Sequence, residues 1–334
     1  MATPSMNVTV IGDGGWGTAL ALRLHGNGHA VRVWGPSESY LDELVARREN
    51  VRYLPGVSLP DDILFTADPA EAAKGAQCVV IATPSPFCAA VCTRFHGLFP
   101  HDILAVSTTK GLDESRLCRT SVLARDLLGI SSIAVLAGPG YSIEVAAGLP
   151  ACFVAAATDP RQAQAVRQLF NGPAFRVGIS SDALGSELGG VIANVVAVAA
   201  GMADGLGLGE GARSAIAARG LAELVRLGIA LGARPGTFMG LCGIGDIMAT
   251  CASPRSRDRA AGEQISNGAS LGDLQKDGPL LAEGILNARA AALIARRLDV
   301  TMPVSDAVNR VCAGMATPKE AIGALLALEE ADRN

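Results

Sequence analysis

Aromatic residues and positive charge are both scarce in this sequence, and each shortage excludes a class of partner. Phe, Trp and Tyr make up 4% of the 334 residues, too few for the stacking platforms that hold single-stranded nucleic acid. Lys and Arg number 28 against 32 Asp and Glu, which gives a formal net charge of −4. Because the chain has no general positive field, we predict no nucleic-acid partner and no attraction to anionic membranes.

Targeting signals and membrane-spanning runs are also lacking. The segment before Asn7 has no basic region of the kind that begins a secretory signal peptide. The longest apolar stretch, residues 189–203, is interrupted by glycine and is shorter than the roughly 18 residues that a span requires. We interpret it as a buried helix, and we expect a cytoplasmic protein with no membrane span.

The eight cysteines do not have the spacing of a metal site. None belongs to a Cys-x-x-Cys pair, and Cys88 and Cys92 stand four residues apart without a second cysteine pair. Reduced thiols used as small apolar side chains explain this pattern in a cytoplasmic protein. We predict no bound metal.

Short apolar runs alternate with helical patterns in the first half of the chain. This alternation is typical of an α/β fold with a doubly wound, mostly parallel sheet. The predicted strands are 8–11, 31–34, 78–82, 103–106, 133–136 and 152–156, and the first two predicted helices are 15–27 and 37–48.

The second half has a helical pattern with few strand signals. The predicted helices are 186–202, 212–231, 257–267, 283–298 and 318–330. A polar turn, Ser180–Asp182, separates the two patterns. The sequence therefore predicts a dinucleotide-binding domain over 1–181 and an all-helical substrate domain over 182–334.

A glycine motif follows the first predicted strand. Residues 12–17 read Gly-Asp-Gly-Gly-Trp-Gly, a G-x-G-x-x-G pattern that opens a helix. In such a motif Gly12 permits the tight turn, Gly14 lets the backbone approach a pyrophosphate, and Gly17 allows close helix–strand packing. The alternative is a glycine-rich turn without a ligand, but the context favours a Rossmann dinucleotide site. The predicted cofactor-binding positions are Gly12, Gly14, Gly15, Trp16 and Gly17.

The end of the second predicted strand bears on which dinucleotide binds. An acidic residue usually stands there and binds the ribose 2′-hydroxyl, whereas a basic residue accommodates a 2′-phosphate. Residues 34–38 read Trp-Gly-Pro-Ser-Glu, with neither an Asp nor an Arg at the tip. Glu38 is close, although it could simply begin the next helix. The lack of a basic residue favours NAD, and NADP stays an alternative.

Further segments match the motifs of one family, in the family's order and spacing, from residue 7 to about 320. They read Val-Ile-Gly-Asp-Gly-Gly-Trp-Gly-Thr-Ala-Leu-Ala at 10–21, Asn-Val-Arg-Tyr-Leu-Pro-Gly at 50–56, Thr-Lys-Gly at 109–111, Ala-Gly-Pro at 137–139, Gly-Met-Ala-Asp-Gly at 201–205, Arg-Gly-Leu-Ala-Glu at 219–223, Gly-Ile-Gly-Asp at 243–246 and Ser-Arg-Asp at 256–258. The chain resembles NAD(P)-dependent glycerol-3-phosphate dehydrogenases.

The resemblance implies a fold, a reaction and an assembly. It implies an N-terminal Rossmann domain, a helical C-terminal domain and an active site between them. It implies hydride transfer between the nicotinamide and C2 of a small phosphorylated or hydroxy-acid substrate, in this family dihydroxyacetone phosphate or glycerol 3-phosphate, with a general acid/base serving the C2 oxygen. By family analogy alone, we expect a homodimer.

Individual roles carry over from the resemblance. Lys110 corresponds to a lysine that contacts substrate and cofactor, although it could be an ordinary surface lysine. Gly138 corresponds to a substrate-binding position. Asp246 corresponds to an active-site aspartate that also binds substrate, and it could equally cap the helix that follows.

A second set of carried-over roles concerns the substrate phosphate and the cofactor. Ser256 and Arg257 correspond to a phosphate-binding pair, and Arg257 also to a cofactor contact. A guanidinium offers a planar fork for phosphate oxygens, but a solvated basic turn is the plainer alternative. Glu283 and Leu281 correspond to cofactor contacts, and Glu283 could merely occupy the first turn of a helix.

The most important departure from the family pattern is Ala193. The segment 187–202 aligns without gaps to a family helix in which a lysine, the expected general acid/base, directly precedes an asparagine. Asn194, a predicted substrate contact, is present here, but Ala193 occupies the lysine position. The second half has no histidine, and its only lysines are Lys276 and Lys319.

Other positions depart from the family as well. Gly140 stands where bacterial members usually carry Thr or Ser, and Ser142, a predicted cofactor contact, replaces a usual alanine. Asp258, at a substrate-binding position, replaces an asparagine. Its carboxylate should repel a phosphate unless Arg255, Arg257 or Arg259 neutralises it.

Three interpretations of these departures stay open. We favour a divergent or impaired dehydrogenase, which acts slowly on the family substrate or on a different small hydroxy substrate. The second is a family enzyme with an engineered Lys-to-Ala change, although one designed change would not alter Gly140 and Asp258. The third is a non-catalytic NAD-binding paralogue, which would bind the dinucleotide without turnover.

Overall fold

The chain forms two compact units. A computed structural model describes residues 4–276 and 282–329, with the side chains of 275 and 276 left undescribed. The first unit runs to Glu187, except that Glu114–Leu117 belong with the second unit, which begins at Leu188. Within that second unit, Arg289 Nε donates to Glu114 Oε1 at 2.9 Å in an ion pair.

The first unit is built on an eight-stranded sheet, as counted over the described residues. Its order is β12-β11-β10-β7-β6-β1-β2-β5, and two short hairpins, β3-β4 and β8-β9, lie outside it. The strands are β1 Asn7–Ile11, β2 Ala30–Trp34, β3 Glu49–Asn50, β4 Leu54–Ser58, β5 Leu64–Thr66, β6 Cys78–Ile81, β7 Leu104–Ser107, β8 Leu112–Asp113, β9 Cys118–Arg119, β10 Ala134–Ala137, β11 Ala151–Ala156 and β12 Phe175–Ser180.

The sheet confirms the predicted doubly wound architecture. Pairing is parallel from β5 across to β10, antiparallel between β10 and β11, and parallel again between β11 and β12. The six strands from β5 to β10 have the order of a dinucleotide-binding fold. Two apolar clusters, one including Leu20 and Phe170 and the other including Phe95 and Leu128, form the core. The helices of this unit are α1 Gly15–Gly26, α2 Glu38–Arg47, α3 Pro69–Ala73, α4 Ser85–Arg94, α5 Thr120–Leu128, α6 Ser142–Ala146 and α7 Pro160–Phe170.

Two strands of the sheet were not predicted. β5 has only three residues and lies at the sheet edge, and β12 is the opposite edge strand, with exposed residues among its buried ones. Edge strands face one neighbour instead of two. They therefore do not show the continuous apolar runs that identified the central strands.

The second unit is helical, as predicted. Its helices are α8 Ala183–Gly205, which begins in the first unit, α9 Gly209–Leu231, α10 Pro235–Phe238, α11 Asp246–Ala252, α12 Arg257–Ser266, α13 Leu271–Lys276, α14 Glu283–Leu298, α15 Pro303–Cys312 and α16 Pro318–Leu326, with a π-helical turn at Leu241–Gly245. Of these, α10, α13 and α15 were not predicted, and α11 was considered only as a helix that Asp246 could cap. α16 ends at Leu326, earlier than predicted, and the predicted end at residue 330 lies outside the described residues.

The central helix of the second unit is α8. It is long and apolar enough to cross a membrane, but most of it is buried inside the protein, which confirms the prediction of a buried helix. Glycines allow its close packing on α12: a Cβ at Gly201 would overlap the Arg259 carbonyl oxygen, and one at Gly262 would overlap that of Val198. α8 is therefore a core helix.

A buried carboxylate ties α9 to the start of α15. Glu223 is fully buried, and its oxygens accept from Val304 N at 2.8 Å, Ser305 N at 3.1 Å and Ser305 Oγ at 2.6 Å. These bonds satisfy backbone donors at the first turn of α15. Burial nevertheless raises the pKa of Glu223 to about 7, against 4.5 for an ordinary Glu.

The raised pKa of Glu223 predicts a loss of stability at rising pH. Because the folded state holds this proton more tightly, the stabilisation is complete below pH 4.5 and is lost as the pH rises through about 7. At about 1.4 kcal/mol per pKa unit, this group lowers the free energy of unfolding by about 3 kcal/mol across that window. Urea-unfolding midpoints at pH 5 and pH 8 should differ less in Glu223→Gln than in the parent. Identical pH dependence in both proteins would contradict the prediction.

Candidate active site

The glycine turn has the geometry predicted for a phosphate cradle. Gly12 has φ +127°, and a Cβ there would lie 2.7 Å from the Ala82 carbonyl oxygen. A Cβ at Gly17 would overlap the Gly12 carbonyl oxygen, so α1 can approach β1 only with glycine there. In front of Gly14, by contrast, a Cβ would meet nothing within 4 Å.

Backbone donors face the open side of this turn. The first hydrogen bond of α1 runs from Thr18 N to Gly14 O at 2.9 Å. The N–H groups before it belong to the helix terminus, where donors have no intrahelical acceptor and the helix dipole favours an anion. An open approach at Gly14 beside these donors fits the pyrophosphate of a dinucleotide.

Two other segments of the first unit close around the turn. The carbonyl oxygen of Tyr53 lies where a Cβ at Gly15 would stand, and Ser142 Oγ lies 3.2 Å from the same point. The ring of Trp16 packs against Phe153 with centroids 5.5 Å apart. Of the predicted cofactor contacts, the structure thus brings Ser142 next to the glycine motif.

A carboxylate that sequence reasoning missed lies at the end of β2. Gly35, the first residue after β2, has the Asp13 side chain against it: a Cβ at Gly35 would lie 2.6 Å from Asp13 Cγ. Burial raises the pKa of Asp13, and the charge of Arg52 opposes that rise. Glu38 is exposed and begins α2, with Ser37 as its N-cap. The only sequence signal for Asp13 was an acidic residue inside the glycine motif.

Lys110 and Gly138, two predicted substrate contacts, meet in the first unit. Lys110 follows β7, Gly138 follows β10, and these strands are neighbours in the sheet. Lys110 Nζ donates to the Gly138 carbonyl oxygen at 3.3 Å. Ligands of α/β folds bind at the carboxyl ends of such strands, so the lysine stands where a substrate contact is expected.

The packing of Phe153 accounts for Gly140. A Cβ at Gly140 would overlap the tip of the Phe153 ring. Phe153 is buried and stacks on Phe175 with centroids 4.6 Å apart. Glycine at this position is therefore a packing requirement of this chain.

In the second unit, α8 brings several of the predicted residues together. A Cβ at Gly189 would overlap the Cys242 carbonyl oxygen in the π-helical turn just before Asp246. One at Gly284 would overlap the carbonyl oxygen of Asn194. Ala193 itself is fully buried, one helical turn after Gly189 on the same face of α8.

Asp258 has a structural partner that explains it. Its Oδ1 accepts from Gly284 N at 2.7 Å and so satisfies a donor in the first turn of α14. Arg259, one of the arginines considered as its neutraliser, pairs with Asp204 at 2.7 Å. The carboxylate of Asp258 is buried and engaged by this helix terminus.

The remaining predicted contacts are placed as follows. Ser256 caps α12 by accepting from Arg259 N at 3.2 Å, and its hydroxyl also contacts Thr250 Oγ1 at 2.7 Å. Arg257 is exposed in the first turn of α12. Asp246 is buried and is the first residue of α11. Gly245 and Asp246 both have helical backbone angles, so α11 continues directly from the π-helical turn and Asp246 is not an N-cap. Glu283 begins α14, and Leu281 lies outside the described residues.

Comparison with known proteins assigns both halves of the chain. Residues 7–163 match the model of the NAD-dependent glycerol-3-phosphate dehydrogenase N-terminus, and residues 182–323 match that of its C-terminus. The chain is 40% identical to glycerol-3-phosphate dehydrogenase (NAD(P)+) of Agathobacter rectalis, over 96% of this chain and 95% of that protein. It is 43% identical to the Corynebacterium kroppenstedtii protein of the same name, over 94% and 96%.

A solved structure agrees. The crystal structure of glycerol-3-phosphate dehydrogenase from Coxiella burnetii superposes with a TM-score of 0.93 at 32% identity, covering 97% of this chain and 99% of that one. The similarity in fold and the similarity in sequence both extend over almost the whole chain. This protein belongs to the NAD-dependent glycerol-3-phosphate dehydrogenase family.

Proposed function

We propose that this chain interconverts dihydroxyacetone phosphate and glycerol 3-phosphate with NAD(H), at a rate reduced by Ala193. The contact between Lys110 and Gly138 carries the proposal. It puts an ammonium group at the carboxyl end of β7, in the unit that carries the open glycine turn. Relatives that share 40–43% identity over nearly their full length bear the name of this activity.

When bound, the nicotinamide supplies or accepts the hydride at C2 of the substrate. The chain's own residues bind the substrate and polarise its carbonyl group. An ammonium at position 110 can donate to a carbonyl or phosphate oxygen, and such charge-assisted bonds are stronger than neutral ones. The exposed guanidinium of Arg257 offers a fork for phosphate oxygens, beside the hydroxyl of Ser256 that caps the same helix.

The reduced rate follows from the chemistry of position 193. Negative charge develops on the C2 oxygen as the hydride arrives, and a general acid must neutralise it. Alanine carries no proton, and the neighbouring residues of α8, such as Ile192 and Val195, are apolar and buried. Family members have a lysine here by resemblance, so this chain lacks that acid.

The proposal predicts that Lys110→Met weakens substrate use. Losing a charge-assisted hydrogen bond costs about 1.5–3 kcal/mol, so kcat/KM for dihydroxyacetone phosphate should fall by about 10- to 100-fold. The measurement is NADH oxidation at varied substrate. Lys74→Met, at an exposed lysine that ends α3, is the matched control and should change nothing. Equal kcat/KM in parent and Lys110→Met would remove Lys110 from the site.

A second candidate is a protein that binds NAD(H) without catalysis. The specific observation in its favour is the buried Ala193. It predicts that NADH binds while no hydroxy-phosphate or hydroxy-acid is turned over, even when a lysine is restored at that position. The same NADH assay, together with a fluorescence titration of NADH, separates the two candidates.

A further inference from the structure

We propose that Asp13 is the residue that selects NAD(H) over NADP(H) in this chain, by taking the place of the acidic residue that a dinucleotide-binding fold normally has after its second strand. The inference rests on the proposed function only in that the cofactor is a nicotinamide dinucleotide. It concerns a residue in the glycine motif for which the sequence suggested no role.

The position that should carry the acid is Gly35. In this fold the acidic residue stands at the end of the second strand and accepts a hydrogen bond from the adenosine ribose 2′-hydroxyl. β2 ends at Trp34, so Gly35 is the first residue past its tip. Gly35 has no side chain, and the next three residues, 36–38, are exposed.

The Asp13 side chain fills the space that a side chain at Gly35 would occupy. A Cβ built on Gly35 would lie 2.6 Å from Asp13 Cγ and 2.9 Å from Asp13 Cβ, and it would overlap one carboxylate oxygen. The Asp13 side chain and a side chain at position 35 therefore cannot both fit in this space. The carboxylate has moved from the strand to the glycine turn, but it occupies the same place in the fold.

Hydrogen bonds hold Asp13 in this place. Gly12 N donates to Trp34 O at 2.9 Å, which ties the turn to the tip of β2. Asn50 Nδ2 donates to the Asp13 carbonyl oxygen at 2.8 Å and to Thr18 Oγ1 at 2.7 Å. Asn50 is itself held by Tyr40, whose hydroxyl donates to Asn50 Oδ1 at 2.6 Å. These bonds fix the backbone of Asp13 beside the tip of β2, which limits the positions that its carboxylate can take and so the cost of ordering it for a ligand.

The charges around Asp13 decide between the two dinucleotides. A carboxylate accepts a hydrogen bond from a ribose 2′-hydroxyl and repels a 2′-phosphate. Arg52 is the cation whose charge reaches Asp13, and its guanidinium lies 5.4 Å from the Tyr53 ring centroid. Arg52 favours the ionised form of Asp13 against the effect of burial, and that form discriminates most strongly against a phosphate.

The test removes the carboxylate from position 13 and then restores a carboxylate at position 35. Fluorescence titrations give Kd for NADH and NADPH in the parent, in the nearly isosteric Asp13→Asn, and in the double variant Asp13→Ala/Gly35→Asp, with no substrate present. We expect the parent to bind NADH more tightly. The ratio of Kd for NADPH to Kd for NADH should fall at least about tenfold in Asp13→Asn, the effect of one charge-assisted hydrogen bond, and should recover in the double variant.

Controls separate this proposal from the proposed function. Gly35→Asp alone, in which two side chains compete for one space, should melt at a lower temperature than the double variant. A parent that binds NADPH at least as tightly as NADH, or an Asp13→Asn ratio within twofold of the parent, would overturn the role of Asp13. A parent that prefers NADH but never reduces dihydroxyacetone phosphate would overturn the proposed function and leave the role of Asp13 intact.

Discussion

Replacing Ala193 with lysine is expected to raise the rate of dihydroxyacetone phosphate reduction by about 10²- to 10⁴-fold, the usual contribution of a general acid. That factor corresponds to about 3–5 kcal/mol of barrier. Position 193 is fully buried in α8, among apolar residues. Desolvation there disfavours the charged ammonium and lowers its pKa towards the working pH, which is the condition under which a lysine exchanges protons efficiently.

A matched variant separates the proton from the bulk of the new side chain. Ala193→Met introduces a similar length without a charge, so both variants face the same crowding around α8. NADH oxidation should recover in Ala193→Lys alone. If the parent already works at an ordinary enzyme rate of about 1–10³ s⁻¹, position 193 is not the source of the proton here. If neither variant reacts while both bind NADH, the chain is a binding protein or acts on another substrate.

Substitutions in the glycine turn should have the second large effect. Valine at two of its glycines should change NADH binding and stability in different ways. Gly14→Val should keep the fold, since a Cβ at Gly14 meets nothing within 4 Å, but it should block the approach of the pyrophosphate. Losing two phosphate hydrogen bonds of about 1.5 kcal/mol each weakens NADH binding by about 100-fold or more. In Gly17→Val the new Cβ would overlap the Gly12 carbonyl oxygen, so both stability and binding should be lost.

Gly26→Val is the control for this pair. Gly26 lies at the other end of α1, and a Cβ there also meets nothing within 4 Å. It should bind NADH normally and keep most of its stability. Melting temperature and NADH fluorescence, measured on all three variants, test the assignment. Unchanged NADH affinity in Gly14→Val would exclude this turn from the binding site.

The departures from the family pattern differ in how they are accommodated. Gly140 makes room for the Phe153 ring, and Asp258 bonds the first turn of α14 through Gly284 N. Each therefore has a structural partner in this chain. Ala193 has no such partner, because a small apolar residue in an apolar helix requires none.

The sequence by itself determined the features that depend on neighbouring residues. The glycine turn, the central strands and the long helices of the second unit could be predicted, because periodicity and glycine spacing act over one turn or one strand. The family motifs added Lys110 and Gly138 as separate substrate contacts, and the structure brings the two within hydrogen-bonding distance. The edge strands β5 and β12 were missed, because a strand with one neighbour does not show a continuous apolar run.

Only the tertiary structure decided what the remaining polar groups do. In the sequence, Asp13 occupies an unspecified position of the glycine motif. Gly35 stands at a strand end that lacks the usual acidic residue. Folding places the two side by side, because β1 and β2 are adjacent parallel strands whose ends meet at one edge of the sheet. Glu223 and Asp258 likewise find backbone donors far along the chain. A buried polar group needs a hydrogen-bond partner, which can lie anywhere along the chain. The spacing of residues in the sequence does not predict which one it will be.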